Sequence, residues 1–163
     1  MEQGKRKKRR IVVDCNGKRK IDHDVNTDLI VKLGAFVTTS EDEALLKPYD
    51  GTMNFRVVVH SDHGDHYTTK VVRVFHGEDL KFNQALKVPL DCHARYLYIE
   101  LLRLWPRSEP GTSRGTVVMG RAKIRLPPPT CKITCKASLV ALNSDRCVVE
   151  KGTLRISMQH ENS

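Results

Sequence analysis

The sequence predicts an all-β domain: an antiparallel β-sandwich of eight strands. The clearest support is the segment 95–105, in which Leu97, Ile99 and Leu101 alternate with aromatic and charged residues. Alternation with period two is typical of a strand with one buried face. Few segments show helical periodicity, and breaker-rich turns recur at short intervals. Together these features favour two packed antiparallel sheets.

Residues 1–27 are predicted to form a basic, disordered arm that precedes the sandwich at 28–160. The first 20 residues hold nine Lys and Arg against Glu2 and Asp14, so most of the net charge of +9 lies there. A dense charge run favours a solvated, unfolded segment, and Ile11–Val13 is too short to predict as a strand. Nuclear import, RNA and anionic lipid fit this arm about equally, and a purely solubilising role is a further alternative.

The first four strands of the sandwich are predicted at 28–39, 55–60, 66–75 and 81–89. The second and third form a hairpin around the turn Ser61–Asp65. Core candidates in the second strand are Phe55, Val57 and Val59, and in the fourth Phe82, Ala85 or Leu86, and Val88.

The fifth and sixth strands are predicted at 95–105 and 117–126, joined by the breaker-rich loop 106–115. The sixth alternates between two faces, and Pro127–Pro129 ends it because proline donates no ladder hydrogen bond. Its predicted buried face holds Val118, Gly120, Ala122, Ile124 and Leu126, and its outward face Val117, Met119, Arg121, Lys123 and Arg125. Segments 137–142 and 152–158 complete the eight strands, with Leu154, Ile156 and Met158 facing inward.

The composition also limits the cellular setting. No apolar run reaches the length of roughly 18 residues that a membrane span needs, and the basic start lacks a signal-peptide hydrophobic region. Five irregularly spaced cysteines argue against a disulfide framework, so we expect them to be reduced. A cytoplasmic, peripheral membrane protein is expected, with a nuclear location left open.

Four motifs in this order resemble the C2 domain family, most closely the small plant C2 proteins that associate with copines. They are Phe82-Asn83-Gln84, the strand Tyr96–Leu102, the segment Met119–Ile124 and the closing strand Lys151–Ile156. The likeness covers roughly 29–159. These residues also have roles that do not depend on the family resemblance. Phe82 would cover the edge of the sandwich, the short amide side chain of this step would hydrogen-bond to a turn backbone, and Gly120 would permit close approach of a neighbouring strand.

Metal binding and catalysis find little support in the residues. C2 domains that bind calcium use aspartates from two loops, because the ion needs about 6 to 8 oxygen ligands. Here Met53-Asn54-Phe55 replaces the usual Asp-Pro-Tyr, and the loop 106–115 offers only Glu109 beside arginines. The cluster His60–His66 is metal-like, but its side chains are expected to diverge around a turn. No nucleophile elbow, phosphate loop or zinc-protease motif occurs, so no enzyme and no cofactor are expected.

The sequence therefore predicts a non-enzymatic, calcium-independent C2 adaptor that binds anionic membrane surfaces or a protein partner. The resemblance implies a copine-like partner and a role in restraining plant defence and cell death. The alternative is a nuclear protein that binds nucleic acid through the arm. The predicted anion-binding residues are Lys5, Arg6, Lys7, Lys8, Arg9, Arg10, Lys18, Arg19, Lys20, Lys70, Arg73, Arg121, Lys123 and Arg125.

Overall fold

The computed structural model describes residues 8–13, 19–24, 27–38, 52–75, 78–104 and 116–161. Within these ranges the chain forms strands and no helix. The strands are β1 Lys8–Val13, β2 Arg19–Asp24, β3 Thr27–Thr38, β4 Thr52–Ser61, β5 Tyr67–Thr68, β6 Val72–Phe75, β7 Leu80–Leu90, β8 Tyr96–Leu104, β9 Thr116–Arg125, β10 Lys132–Leu142 and β11 Val148–His160.

Strands β3 to β11 form one antiparallel sheet in the order β5-β4-β8-β9-β10-β11-β3-β7, with β6 also paired to β4. Strands β9 and β10 pair only at Arg121 and Val140. This narrow junction divides the sheet into two halves, β5/β6-β4-β8-β9 and β10-β11-β3-β7. The two inner faces share one apolar core, so the predicted antiparallel sandwich is confirmed.

The inner row of β8 lies at the centre of this core. Leu97, Ile99 and Leu101 are fully buried, as the alternation predicts, and so are Leu154 and Ile156 of β11. Phe55, Val57, Val59, Phe82, Val88 and Met158 are buried as well, whereas Leu86, Ala122 and Ile124 are partly buried and Ala85 is exposed. A feature that the sequence did not indicate is Arg103, which ends the inner row of β8 as a buried cation.

A bulge in β9 corrects the predicted faces of that strand. Leu101 pairs with Gly120 but Leu102 pairs with Val118, so Met119 is an extra residue between two ladder positions. Met119 is consequently buried and not outward-facing. Val118 pairs with Leu102 on the outer side and Val117 with Arg103 on the inner side, the reverse of the predicted faces. A β-bulge shifts the alternation by one residue, which a period-two reading of the sequence cannot detect.

The predicted third strand is broken into β5 and β6 around the buried Thr69. The Oγ1 of Thr69 accepts a hydrogen bond from the Val57 amide at 3.0 Å, and the Thr69 amide donates to the Val57 carbonyl at 2.9 Å. A side-chain hydroxyl thus replaces one backbone acceptor where the ladder is interrupted. The hairpin between β4 and these two short strands is confirmed.

In the Phe82-Asn83-Gln84 segment, the residue that hydrogen-bonds to a neighbouring backbone differs from the expected one. Phe82 is buried, as predicted, and Asn83 adopts a φ of 47° in a left-handed conformation that asparagine tolerates. The neighbouring backbone is held by Gln84 and not by Asn83. The Oε1 of Gln84 accepts a hydrogen bond from the Lys70 amide at 2.8 Å, and its Nε2 donates to the Lys70 carbonyl at 3.5 Å.

Within the basic arm the structure describes a separate two-stranded ladder of β1 and β2, with Ile11 opposite Ile21. The segment around Ile11–Val13 therefore belongs to a strand, contrary to the expectation from its length. Pairing with a second segment supplies hydrogen-bond partners that a short sequence window cannot reveal. The rest of the arm lies outside the described residues, and the expected disorder of 1–27 stays a prediction.

The cysteines differ in oxidation state. Cys92, Cys135 and Cys147 are reduced, and burial raises the pKa of the Cys135 thiol. Cys131 is disulfide-bonded, so the expectation that all cysteines are reduced is wrong for this residue.

Candidate anion-binding face

The outer side of the half-sheet β5/β6-β4-β8-β9 is called the β8–β9 face. Its composition follows from the register, because cross-strand partners point to the same side of a sheet. Tyr98 pairs with both His60 of β4 and Lys123 of β9, and Tyr96 pairs with Arg125. Cations at outer positions of these strands are Arg56, Arg73, Arg121, Lys123 and Arg125, and the only carboxylate at an outer position of the same described strands is Glu100.

Lys123 is held on an aromatic platform. Its Nζ lies 4.2 Å from the ring centroid of Tyr96 and 5.9 Å from that of Tyr98. A cation over an aromatic face is attracted by the ring quadrupole, by about 0.5–1 kcal/mol at exposed sites. The two tyrosines therefore orient the ammonium group while leaving it at the surface.

Two histidines extend the platform. The His60 ring stacks on Tyr98 with centroids 5.0 Å apart and meets the His66 ring edge-on at 4.4 Å. The Nδ1 of His60 donates to the Ser61 carbonyl at 3.0 Å, since a carbonyl oxygen can only accept. The expectation that the side chains of the His60–His66 cluster diverge is thus wrong for His60 and His66, because the β4–β5 hairpin brings the two rings into edge contact.

The charges of the β8–β9 face are not equally available. The Nε of Arg121 donates to Glu100 Oε2 at 2.6 Å, which compensates much of that cation. Neither Lys123 nor Arg125 forms an ion pair among the described residues. Lys123 and Arg125 therefore carry the most available charge of the face.

The opposite outer side, that of the half-sheet β10-β11-β3-β7, is called the β10–β11 face. At one margin Lys87 Nζ lies 3.0 Å from Glu161 Oε1 and 3.9 Å from Asp28 Oδ2. The hydrogen bond to Glu161 and the charges of Glu161 and Asp28 raise the pKa of Lys87. This lysine is consequently engaged within the domain, unlike Lys32, Lys132, Lys136 and Arg155 on the same face.

Four exposed apolar side chains lie at one end of the described strands. Exposed Val37, Phe75, Leu142 and Val148 lie where β3, β6 and β10 end and β11 begins. A cavity of about 180 Å³ opens beside Val37 and is lined by Phe36, Met53, Val74, Leu80, Glu78 and Asp79 among others. Phe75 also belongs to the β8–β9 face, because it pairs with Thr52 of β4.

Comparison with known proteins defines the fold. No family model and no curated protein sequence matches the chain. Among solved structures, a C2 domain-containing protein from a putative elicitor-responsive gene superposes with a TM-score of 0.60 at 17% identity, over 86% of this chain and 92% of that one. The chain has the fold of a C2 domain. Two other structures agree with this assignment.

A C2 domain of plant extended synaptotagmin 1 gives a TM-score of 0.56 at 13% identity, over 84% of this chain and 95% of the other. A structure of CC2D1B, described in connection with the mitotic reformation of the nuclear envelope, gives 0.53 at 13% identity, over 94% and 63%. Identities this low show the common C2 fold and leave the function to be argued from the surface.

The C2 fold brings together part of the predicted anion-binding set. Arg121, Lys123 and Arg125 share the β8–β9 face, and Arg73 joins them from β6, three strands away or roughly 14 Å. Lys70 lies in the linker between β5 and β6, where Gln84 holds its backbone. Arm residues Lys8, Arg9, Arg10, Arg19 and Lys20 are described only as backbone, and Lys5, Arg6, Lys7 and Lys18 lie outside the described residues.

The metal predictions concern both described and undescribed residues. Within the described ranges, no group of three His, Cys, Asp or Glu side chains is placed to hold a metal ion. The loops 39–51 and 105–115, on which the calcium argument depends, lie outside those ranges. The described part also contains no helix that is long and apolar enough to cross a bilayer.

Tyr96, Tyr98 and His60 were not predicted as site residues. The alternation did place both tyrosines on the outer side of their strand, but nothing in the sequence indicated the register between β8 and β9. The signal that could have found them is the coincidence of outward aromatics on one strand with outward cations on the strand that follows it.

Proposed function

We propose that this C2-fold domain is a non-enzymatic adaptor that docks on anionic membrane surfaces through the β8–β9 face without calcium. The observation that carries the proposal is Lys123, which two tyrosines hold at the surface beside Arg125. Membrane binding is also consistent with the fold, which this chain has in common with a C2 domain of plant extended synaptotagmin 1.

The charge balance of the face supports this chemistry. Five cations and one carboxylate occupy its outer strand positions, so a net charge of about +4 faces one direction. Each basic residue near an anionic leaflet is worth about 1 kcal/mol, and the attraction decays over about 8 Å at physiological salt. Several cations on one plane can therefore act together on a flat surface.

The aromatic residues of the face suit the same surface. Tyrosine has an apolar ring and a polar hydroxyl, and it favours the boundary between headgroups and acyl chains. Tyr96 and Tyr98 lie between the cations, and Phe75 adds an exposed apolar ring at the corner of the face. A sandwich lying flat on this side would bring charge and aromatic area to the membrane together.

Finer parts of the proposal rest on resemblance. A copine-like protein partner and a role in restraining plant defence and cell death are proposed from the likeness to copine-associated C2 proteins. A peripheral cytoplasmic location is proposed from the sequence composition together with membrane docking. The basic arm would add attraction to the membrane. The nucleic-acid alternative is based on the charge of the basic arm.

Neutralising the face should weaken membrane binding. In the full chain, the triple change Arg73→Ser, Lys123→Ser and Arg125→Ser should reduce affinity for phosphatidylserine-containing vesicles by up to about two orders of magnitude, since each charge contributes up to about 1 kcal/mol. Vesicle co-sedimentation at physiological salt measures the change.

A variant with equal loss of charge on the opposite side provides the control for this result. Lys132→Ser, Lys136→Ser and Arg155→Ser should reduce vesicle binding much less, because these residues face away from the membrane. Equal losses in the two variants would mean that only net charge matters, and the proposed face would be wrong.

Calcium should change neither stability nor vesicle binding. The first loop could supply oxygens from Glu41, Asp42, Glu43 and Asp50, but Met53 and the arginine-bearing loop 106–115 stand where the remaining carboxylates are expected, so the ligand shell would be incomplete. A bound ligand stabilises the native state by RT ln(1 + [L]/Kd), so a functional site would raise the melting temperature as calcium is added. A steady rise in Tm between EDTA and millimolar calcium would contradict this prediction.

A further inference from the structure

The β10–β11 face contains a second group of cations, which the membrane proposal does not use. Lys136 of β10 lies directly opposite Arg155 of β11. Lys132 is on the same side of β10 as Lys136, and Lys32 of β3 pairs with Ser157, the outer residue that follows Arg155 on β11. All four cations are exposed, and we call them the β10–β11 patch.

The carboxylates on this face lie at its ends. Glu150 accepts a hydrogen bond from the Ser138 hydroxyl at one end of the β10 row, and Asp28 and Glu161 flank Lys87 at the far margin. None of the four patch cations forms an ion pair with an acidic residue in the described part of the chain. Like charges directly opposite each other destabilise a sheet, so Lys136 and Arg155 lack the compensation that Glu100 gives Arg121 on the other face.

Hydroxyl side chains separate the cations. Thr134 and Ser138 alternate with Lys132 and Lys136 along β10, and Ser157 follows Arg155 at the next outer position of β11. Each step along the row is about 6.6–6.8 Å, the rise of two strand residues. The row carries donors and positive charge, and β10 and β11 contribute no aromatic ring to it.

We propose that the β10–β11 patch binds an acidic segment of a protein partner. An extended peptide also presents alternate side chains about 6.6–6.8 Å apart, so successive carboxylates can meet Lys132, Thr134 and Lys136. The guanidinium of Arg155 is suited to bind a carboxylate with two parallel hydrogen bonds. The outer positions of the patch hold cations and hydroxyls and no aromatic ring, in contrast to Tyr96 and Tyr98 on the β8–β9 face. The patch therefore fits such a peptide better than the headgroup boundary of a membrane.

This assignment gives the adaptor two separate surfaces. The β8–β9 face and the β10–β11 patch lie on opposite outer sides of one sandwich, because their strands belong to opposite half-sheets. A membrane on one side leaves the other side open. The domain can therefore hold an acidic protein segment against an anionic surface, with neither ligand occupying the residues of the other.

The test uses a fluorescein-labelled peptide of alternating Glu and Ser, with a Gln and Ser peptide as the uncharged probe. Fluorescence anisotropy is measured with the full chain, the patch variant Lys132→Ser, Lys136→Ser and Arg155→Ser, and the face variant Arg73→Ser, Lys123→Ser and Arg125→Ser. The basic arm is present in all three proteins, so it contributes equally to their affinities for the peptide. The patch variant should bind the acidic peptide at least about threefold more weakly than the face variant, the weak limit for three exposed ion pairs.

The possible outcomes separate this inference from the membrane proposal. Equal affinity of the two variants for the acidic peptide, or no binding by the unmodified chain, would overturn the patch assignment. Loss of vesicle binding by the patch variant together with retention by the face variant would overturn both assignments, because the membrane would then lie on the β10–β11 side. Failure of all three proteins to bind vesicles, with peptide binding as expected, would remove the membrane proposal alone.

Discussion

Replacing Ile99 by Ala should lower the free energy of unfolding by about 2–5 kcal/mol, the range for truncating a large buried aliphatic residue. Ile99 is fully buried in β8, between Val59 of β4 and Ala122 of β9. Removing its outer carbons would leave a cavity that neighbours on two strands cannot fill without moving. Urea unfolding should show a lower midpoint with an unchanged slope.

The adjacent residue supplies a matched control. Glu100 lies on the outer side of the same strand and accepts a hydrogen bond from Arg121. Exposed ion pairs contribute about 0.2–1 kcal/mol, so Glu100→Ala should cost no more than that. A loss for Ile99→Ala as small as that for Glu100→Ala would show that β8 is not the centre of the core.

The alternation in β8 could be predicted from the sequence because period two is a local property. Each residue of Leu97, Ile99 and Leu101 is separated from the next by one outward residue, and no information about other strands is needed. The same reasoning failed at Met119, where one inserted residue reverses the sides. A bulge depends on how two strands pair, and that pairing is not visible in either strand alone.

The candidate site shows the same limit. Arg121, Lys123 and Arg125 were predicted on one side because they follow one another on one strand. Tyr98 and His60 join them only through the order β4-β8-β9, in which His60 and Lys123 are 63 positions apart in the chain. Contacts of this kind follow from topology, so the charges of the face could be predicted from the sequence but its aromatic platform could not.

The β10–β11 patch was missed for a related reason. Its cations lie at positions 32, 132, 136 and 155, where each appears in the sequence as an ordinary solvated residue. The register places Lys136 against Arg155 and leaves acidic residues at the margins. The patch can be recognised only after the strands are paired, when none of its four cations is found in an ion pair with a described acidic residue.

The C2 sandwich also depends on a close approach at Gly152, so Gly152→Ala should be strongly destabilising. Gly152 is buried in β11, where it pairs with Thr38 of β3 and Leu139 of β10. An added Cβ would lie 2.5 Å from the Val37 carbonyl oxygen and would overlap the Phe36 ring. A backbone atom cannot move aside as a flexible side chain can, and overpacking of this kind costs about 1–3 kcal/mol or more.

Gly34→Ala is the matched control, because the Cβ added at Gly34 would find its nearest atom, Arg155 Cβ, at 3.4 Å, an ordinary contact. Gly→Ala at a site without strain can stabilise by about 0.4–1 kcal/mol by lowering the entropy of the unfolded chain, so this variant should be neutral or slightly more stable.

In the Gly152→Ala background, Phe36→Leu should recover part of the loss by removing the ring contact, whereas the same change alone should destabilise. Because contacting residues give non-additive effects, a double-mutant cycle by urea unfolding measures this coupling. Additive losses would mean that the Phe36 ring does not limit the space at Gly152, and the expected clash would then rest on the Val37 carbonyl alone.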